Sequence, residues 1–402
     1  MEFDLLITNA RTRFSPDDLI DIGIKDGRIL EIGEIPRIKG IKTLDAGRKL
    51  VTESFINGHL HLCKVYTLKM TGDETISSYT SGTMGGAMSA IEQAAKLKEH
   101  YNESWIIENV RKAIGLAIRF GNTYIRAFAD TDTRAKLEGV KALIRAREEF
   151  KEQVEISVVA FPQDGILRDP GAEDYVNKAM EMGADVVGGI PWIEYTEEDS
   201  RKHIDKMFAI AKEFDKDISM LVDDAGDPGL RTLEMLAVKT LQEGWEGRVT
   251  AQHARAMALY PEPYYKKLEA LLKKARISIV SDPQTGPLFT RVRSLYNAGI
   301  GIALGQDDIA DAYYPFGRNN MLEVAFLAAH LMRMTTFKEM EILYDLITTK
   351  AAEAMGIKGF QIKKGNKANL VVLNAESVWE AIWSHEEPRY VIKDGRDITL
   401  NH

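Results

Sequence analysis

VTESFINGHLHL, Val51–Leu62, decides how this chain is read. Its first eight residues, VTESFING, form a short apolar run of the kind that makes a buried strand. The two histidines that follow, His59 and His61, close that strand. On a strand, residues i and i+2 point to the same face, so the two imidazoles stand side by side. Such a pair can hold one metal ion, or can be no more than two partly exposed histidines at a strand end.

Working outward, seven further apolar runs follow: NTYIRAF (122–128), VEISVVA (154–160), ADVVGGI (184–190), ISMLVD (218–223), RVTAQH (248–253), RISIVSD (276–282) and GIGIALG (299–305). Amphipathic helices lie between them, as in LEGVKALIRAREEF (137–150), SRKHIDKMFAIAKEF (200–214) and RTLEMLAVKTLQEG (231–244). In the last of these, Leu233, Met235, Leu236 and Val238 with Leu241 make the apolar stripe. Eight strand-then-helix units in about 300 residues predict a closed parallel (β/α)8 barrel of the TIM type. An open doubly wound sheet is the competing architecture. No GxGxxG follows the first strand, which weighs against a dinucleotide site.

The two ends of the chain have a different rhythm. FDLLITNA, LIDIGIKDG, RILEIGEI and KTLDAG alternate apolar residues between turns, and ANLVVLNA and RYVIKDGRDI repeat the style near residue 400. The motif IKDG occurs at Ile24–Gly27 and again at Ile392–Gly395. Both ends are therefore expected to pack as one small β-sandwich, residues 1–52 with 362–402, around a barrel at 53–361. Residues 64–100 interrupt the barrel rhythm with the Gly/Ser/Thr-rich GDETISSYTSGTMGGAMS. A long irregular stretch after a barrel strand reads as a lid.

Composition sets limits. The 402 residues are 45% hydrophobic and 28% charged, the balance of a soluble globular protein. The net charge of −8 argues against a nucleic-acid partner, which needs a basic face. The single cysteine, Cys63, cannot form an intramolecular disulfide, and no apolar stretch reaches the ~18 residues of a membrane span. The N-terminus carries Glu2 and Asp4 and no signal-peptide core. A cytoplasmic enzyme of small molecules, assembled as a homo-oligomer, is the expectation.

Besides His59 and His61, three groups end barrel strands: His253 in VTAQHARAM, and Asp307 and Asp308 in ALGQDD. Barrel active sites form at that rim. A capping role is the alternative for either aspartate, since the loops after barrel strands often end in a helix cap. His203 and His330 read as helix residues, His203 on the helix surface. His100, His385 and His402 have no assigned role.

With these pieces in place the sequence resembles the amidohydrolase superfamily, and within it the cytosine deaminase-like group. The resemblance runs through DIGIKDGRILEIG, SFINGHLHL, AFPQDGIL (160–167), GADVVGGIP (183–191), VDDAGDP (222–228), RVTAQHARAM (248–257), LGQDDIADAYYPFGRNNML (304–322) and KKGNKANLVVLNA (363–375). It implies a distorted barrel with a terminal β-sandwich and a single divalent metal ion, zinc or iron, with manganese also possible. The lysine that two-metal members carry after the fourth strand is absent from ADVVGGIP. The resemblance assigns His59, His61 and Asp307 to the metal, with Asp307 also taking a proton from the attacking water. It assigns His253 to polarising the substrate or water, Gln163 to the amide edge of a planar heterocycle, and Tyr313 and Phe161 to its ring.

Three positions depart from the family pattern. Leu221 stands where the fifth strand usually supplies a histidine ligand, and leucine has no lone pair. Asp224 stands where a proton-shuttling glutamate is usual, one methylene shorter. Cys63 replaces an aspartate after the histidine pair. Loss of one good ligand costs several kcal/mol against the ~10–16 kcal/mol of a complete zinc site. Cys63, Asp223 or Asp224 are candidates to fill the gap. The leading expectation is hydrolysis of a C–N bond in a small amino-heterocycle or cyclic amide. The competing expectations are a non-catalytic, weakly metal-binding homologue that uses the barrel pocket for ligands, and a hydrolase of carboxylate or ester substrates.

Overall fold

The computed structural model of the chain describes residues 3–36, 42–70, 77 and 83–400. Its strands are β1 (Leu5–Thr12), β2 (Ser15–Lys25), β3 (Arg28–Gly33), β4 (Lys42–Asp45), β5 (Val51–Glu53), β6 (Phe55–Leu60), β7 (Asn122–Asp130), β8 (Glu155–Phe161), β9 (Val186–Gly189), β10 (Asp217–Val222), β11 (Val249–His253), β12 (Ser278–Ser281), β13 (Ile302–Leu304), β14 (Leu370–Val372), β15 (Tyr390–Lys393) and β16 (Arg396–Asp397). β6 to β13 pair in sequence order as one eight-stranded sheet, and every paired neighbour is parallel. Such strands are covered on both faces, and every residue of β7 is buried.

The sheet closes at the β6–β13 seam. Leu60 bridges Asp307 in parallel, the His61 amide donates to the Asp307 carbonyl at 2.7 Å, and the Asp307 amide donates to the His59 carbonyl at 2.8 Å. The seam needs Gly305: a Cβ there would lie 2.2 Å from Asp282 Oδ1 and 2.7 Å from His59 Cβ. The histidine pair and Asp307 are thus stitched together by backbone before any side chain is considered.

The crossovers include α1 (Met84–Lys98), α2 (Glu103–Arg119), α3 (Glu138–Phe150), α4 (Ala172–Glu181), α5 (Glu197–Glu213), α6 (Thr232–Glu243) and α7 (Glu262–Ala275). Local chemistry sets their ends. Thr196 accepts from the Asp199 amide to start α5, and Gly244, in the left-handed region at φ 67°, ends α6. On α6, Leu233, Met235 and Leu236 are buried as expected, but Val238 faces solvent.

Three other expectations are corrected or narrowed. The run VTESFING is two strands, β5 and β6, divided at Ser54. β5 leaves the barrel and pairs antiparallel with β14. His203 is fully buried, not on the surface of α5. Its ring lies against Gly189 of β9, where a Cβ would come within 3.0 Å of Nε2. Of the stretch 64–100, residues 71–76 and 78–82 lie outside the described residues. Its second half is a helix, α1, started by Thr83, whose side chain accepts from the Gly86 amide.

Two four-stranded sheets flank the barrel, ordered β3-β2-β1-β4 and β16-β15-β14-β5. Leu5, Ile7, Ile22, Ile24 and Leu44 share one apolar core with Leu370, Val372 and Ile392. The two IKDG turns meet: a Cβ on Gly27 would lie 2.9 Å from the Asp394 carbonyl oxygen.

Candidate active site

Asp307 is the hub of the barrel mouth. It holds a left-handed backbone, φ 66°, which is uncommon outside glycine and better tolerated by aspartate than by most residues. Its Oδ1 faces three imidazoles: His59 Nε2 at 3.1 Å, His61 Nε2 at 3.7 Å and His253 Nε2 at 3.8 Å. Its Oδ2 accepts from Thr285 Oγ1 at 2.6 Å and lies 3.4 Å from the Arg255 guanidinium. The carboxylate is therefore divided, with one oxygen anchored and one offered to the histidines. Neither Asp307 nor Asp308 caps a helix, so the capping alternative falls.

The residues present fit a divalent ion. Donor atoms of His59, His61 and Asp307 lie within 4.8 Å of one another, and all three residues are buried. Among the described residues, His59 Nε2, the ring nitrogen turned to Asp307 Oδ1, has no hydrogen-bond partner. A buried polar atom left unpaired is costly, and a metal relieves it. Burial and the Lys64 ammonium push His61 well below its ordinary pKa, leaving the neutral imidazole that ligates metal. Burial works to raise Asp307, but His253 and His59 hold it well below the usual carboxylate range.

The candidate substitute donors separate cleanly. Leu221 packs with Phe161, Ile190, Trp192 and Tyr313 in an apolar cluster. Asp223 is saturated: it accepts from the Thr232 amide and hydroxyl, the Leu233 amide and the Tyr260 hydroxyl, at 2.5–3.3 Å. It starts α6 and faces away from the site. Cys63 turns behind the strand, against Gly139 of α3, with its Sγ accepting from the Asp130 amide at 3.4 Å. Burial pushes its thiol strongly up, away from the thiolate a metal needs. Asp224 faces the cavity, 4.0 Å from His253 Nε2 and 3.3 Å from Arg255. Burial pushes Asp224 above its ordinary pKa, against the pull of Arg255 and His253.

The cavity above Asp307 is about 30 Å³ and is lined by His61, Gln163, Asp224, His253, Asp308 and Tyr313 on its polar side, and by Ile91, Ile190, Trp192 and Leu221 on its apolar side. Gln163 is oriented at both ends. Its Oε1 accepts from the buried Lys64 ammonium, and its Nε2 donates to Tyr313 Oη at 3.0 Å. Phe161 is not among the residues that line the cavity; it packs on His61 at 5.4 Å between ring centroids.

Sequence reading missed Lys64, Arg255, Asp282 and Glu194. The first three had a signal. Lys64 lies three residues past His61, Arg255 two past His253, and Asp282 ends a strand already placed at the rim. Asp282 Oδ2 lies 3.2 Å from His253 Nδ1. Glu194 pairs with buried His203 at 2.7 Å and accepts from the amides of Ile166, Leu167 and Arg168, fixing the loop that carries Gln163. A separate acidic group, Asp132, Asp164 and Asp169, is already served by a cation, because Lys98 Nζ lies 2.5 Å from Asp132 and 2.7 Å from Asp164.

The profile of the amidohydrolase family matches residues 42–398. The chain belongs to the amidohydrolase family. N-isopropylammelide isopropyl amidohydrolase of a Pseudomonas species is 32% identical over 400 residues, covering 99% of this chain and 97% of that protein. The structure of 5-methylcytosine deaminase from Klebsiella pneumoniae superposes with a TM-score of 0.89 at 29% identity, covering 99% of this chain and 98% of that one. That of N-isopropylammelide isopropylaminohydrolase from Burkholderia multivorans gives 0.88 at 26%, covering 100% and 99%. The family is one of metal-dependent hydrolases, and this amidohydrolase shares its barrel. Among the described residues, no helix is long and apolar enough to cross a membrane.

Proposed function

We propose that this amidohydrolase hydrolyses the exocyclic C–N bond of a small planar amino-heterocycle, or the C–N bond of a cyclic amide. The observation that carries the reading is the convergence of His59, His61 and Asp307 Oδ1 beneath a cavity whose wall presents the Gln163 amide. His59, His61 and Asp307 would hold one divalent ion, zinc or iron, with manganese also suitable. When bound, such an ion lowers the pKa of water from 15.7 to about 7 and so supplies a nucleophile at neutral pH.

The chain's own residues do the rest. Gln163 both donates and accepts, which suits an amide or amidine edge. Lys64 and Tyr313 hold its amide in one orientation. Asp307, kept anionic, accepts a proton. Asp224, raised by burial, returns one to the ring nitrogen or to the departing amine. Leu221, with Ile190, Trp192 and Ile91, gives the cavity an apolar side, which fits a methyl or alkyl substituent on the ring or on the leaving amine. The names of the relatives, which act on isopropylammelide and 5-methylcytosine, agree with that shape.

A volume of about 30 Å³ has room for no more than a few waters and is far below the ~300–1,000 Å³ of ligand sites. Substrate access therefore requires Ile91 to withdraw, which gives α1 the part of a lid. Ile91 also borders an open cleft of about 520 Å³ on its other side. The reading divides the chain into 1–52, 53–361 and 362–402, supported by the core shared between its ends. It places the protein in the cytoplasm, as a homo-oligomer acting on a small molecule and not on nucleic acid or membrane. Exposed Phe337, Trp379 and Trp383, in edge and stacked contact, support self-association.

The reading is tested by amine release from a panel of alkylamino-triazines, methylated aminopyrimidines and cyclic amides, using metal-loaded protein. At least one alkylated substrate should turn over, and Gln163→Ala should lower its kcat/KM at least tenfold. Equal turnover by wild type and Gln163→Ala on every active substrate contradicts it. A second reading, a pocket protein without catalysis, is favoured by Leu221 and by the Arg255 cation beside Asp307. Stoichiometric metal together with turnover excludes it.

A further inference from the structure

We propose that His253 is a metal ligand in this chain, filling the vacancy left by Leu221. The inference rests on the metal-dependent reading above and deepens it. Elimination gives the first argument. Leu221 has no donor, Asp223 is spent on α6, and the Cys63 sulfur is turned to the Asp130 amide behind the strand. Asp224 joins none of the donor groups found among the described residues, whereas His253 joins one with His59.

Distance gives the second. Two donors held by one ion at about 2.0–2.2 Å each can be no more than about 4.3 Å apart. The separations of His59, His61 and His253 Nε2 from Asp307 Oδ1, at 3.1, 3.7 and 3.8 Å, all fall inside that bound, and His253 has a donor within 4.8 Å of one on His59. His253 and His61 are not yet that close, so the His253 ring must move toward His61 as the ion binds. The His253 ring lies 4.8 Å from that of His59, the same centroid separation as His59 from His61.

The far side of the ring gives the third. Metal-ligating histidines present their other nitrogen to a carboxylate or carbonyl that fixes tautomer and orientation. His253 Nδ1 faces buried Asp282 Oδ2 at 3.2 Å. His253 and Ala254 both hold left-handed backbone, φ 63° and 48°, so the end of β11 bears strain to keep this geometry. The donor set becomes three imidazoles and one carboxylate, compatible with zinc, iron or manganese. Asp224 is then left as the proton carrier on that side of the cavity.

The test reads the metal and not the turnover. X-ray absorption of zinc-loaded wild type should count three imidazoles. In chelator competition, His253→Ala should weaken zinc at least 100-fold, and Asp282→Asn, which leaves the ligands in place, 10–100-fold. Bound zinc with two imidazoles, or a His253→Ala variant with wild-type zinc affinity, overturns the inference and leaves the metal-dependent reading standing. Wild type that binds no zinc, iron or manganese overturns both. The wild-type count does not depend on whether His253→Ala folds.

Discussion

Replacing Arg255 with methionine isolates the electrostatics of the barrel mouth. The guanidinium is buried between two carboxylates, 3.3 Å from Asp224 and 3.4 Å from Asp307. Asp307 keeps the Thr285 hydroxyl and three imidazoles, so the loss falls on Asp224, whose next cation is His253 at 4.0 Å. Breaking a buried pair from one side costs about 3–5 kcal/mol. Asp224 can limit that by taking a proton. Neutralising a carboxyl with an unfolded pKa near 3.9 costs about 4 kcal/mol at pH 7 and about 1.5 kcal/mol at pH 5. Arg255→Met should therefore destabilise metal-free protein by about 3–4 kcal/mol at pH 7, and by less than half of that at pH 5. The sign follows from linkage: the folded variant binds a proton that the unfolded chain does not, so its deficit grows as pH rises. With a urea slope of at least about 3 kcal/mol/M for a chain this long, the midpoint falls by at most about 1 M at pH 7. Asp224→Asn in the Arg255→Met background should recover most of the loss. A deficit under about 1 kcal/mol, a deficit independent of pH, or no recovery by Asp224→Asn refutes the reasoning.

Other consequences are measurable. Asp132, pushed up to about 6 chiefly by burial against the pull of Lys98, disfavours folding once it must ionise. The stability of wild type relative to Asp132→Asn should fall between about pH 4 and pH 6 and level off above, as read by urea unfolding across that range. Glu194→Ala strips the acceptor from three backbone amides and from His203. At about 1–3 kcal/mol for each unsatisfied group, urea unfolding should show a loss of at least 3 kcal/mol, and steady-state kinetics a raised KM through the Gln163 loop. Ile91→Ala should raise kcat/KM for the bulkiest alkylated substrate relative to the smallest, in competition assays on a mixed pair.

The barrel was legible because parallel strands covered on both faces appear as uninterrupted apolar runs, and all eight were visible. The same property hid the β5–β6 division. Val51–Glu53 and Phe55–Leu60 are both buried, and Ser54 between them is buried too, so no change of pattern marks the boundary. His203 was misplaced because imidazole is polar and its helix is otherwise amphipathic. Its burial depends on a glycine of β9, Gly189, that leaves room for the ring, a pairing fixed by tertiary structure alone.

The mouth of the barrel was read in the same uneven way. His59, His61, His253 and Asp307 could be named because strand ends converge in any barrel of this kind. Which carboxylate faces inward could not. Asp223 and Asp224 are neighbours of the same type, and only the saturation of Asp223 by Thr232, Leu233 and Tyr260 shows that it belongs to the helix. Arg255 and Asp282 carried a signal in their positions beside His253 and at a strand end, but their roles exist only through partners about 30 residues away in sequence.

The central claim is that water replaces an amine or amide nitrogen on a ring, at a metal held by His59, His61 and Asp307. The most direct measurement is turnover in 18O-labelled water during stepwise metal loading of stripped protein, with the ring product read by mass spectrometry. The account predicts one 18O atom per ring product and a rate that rises in proportion to metal up to one ion per chain. Turnover undiminished by metal removal, or product without the label, would contradict it.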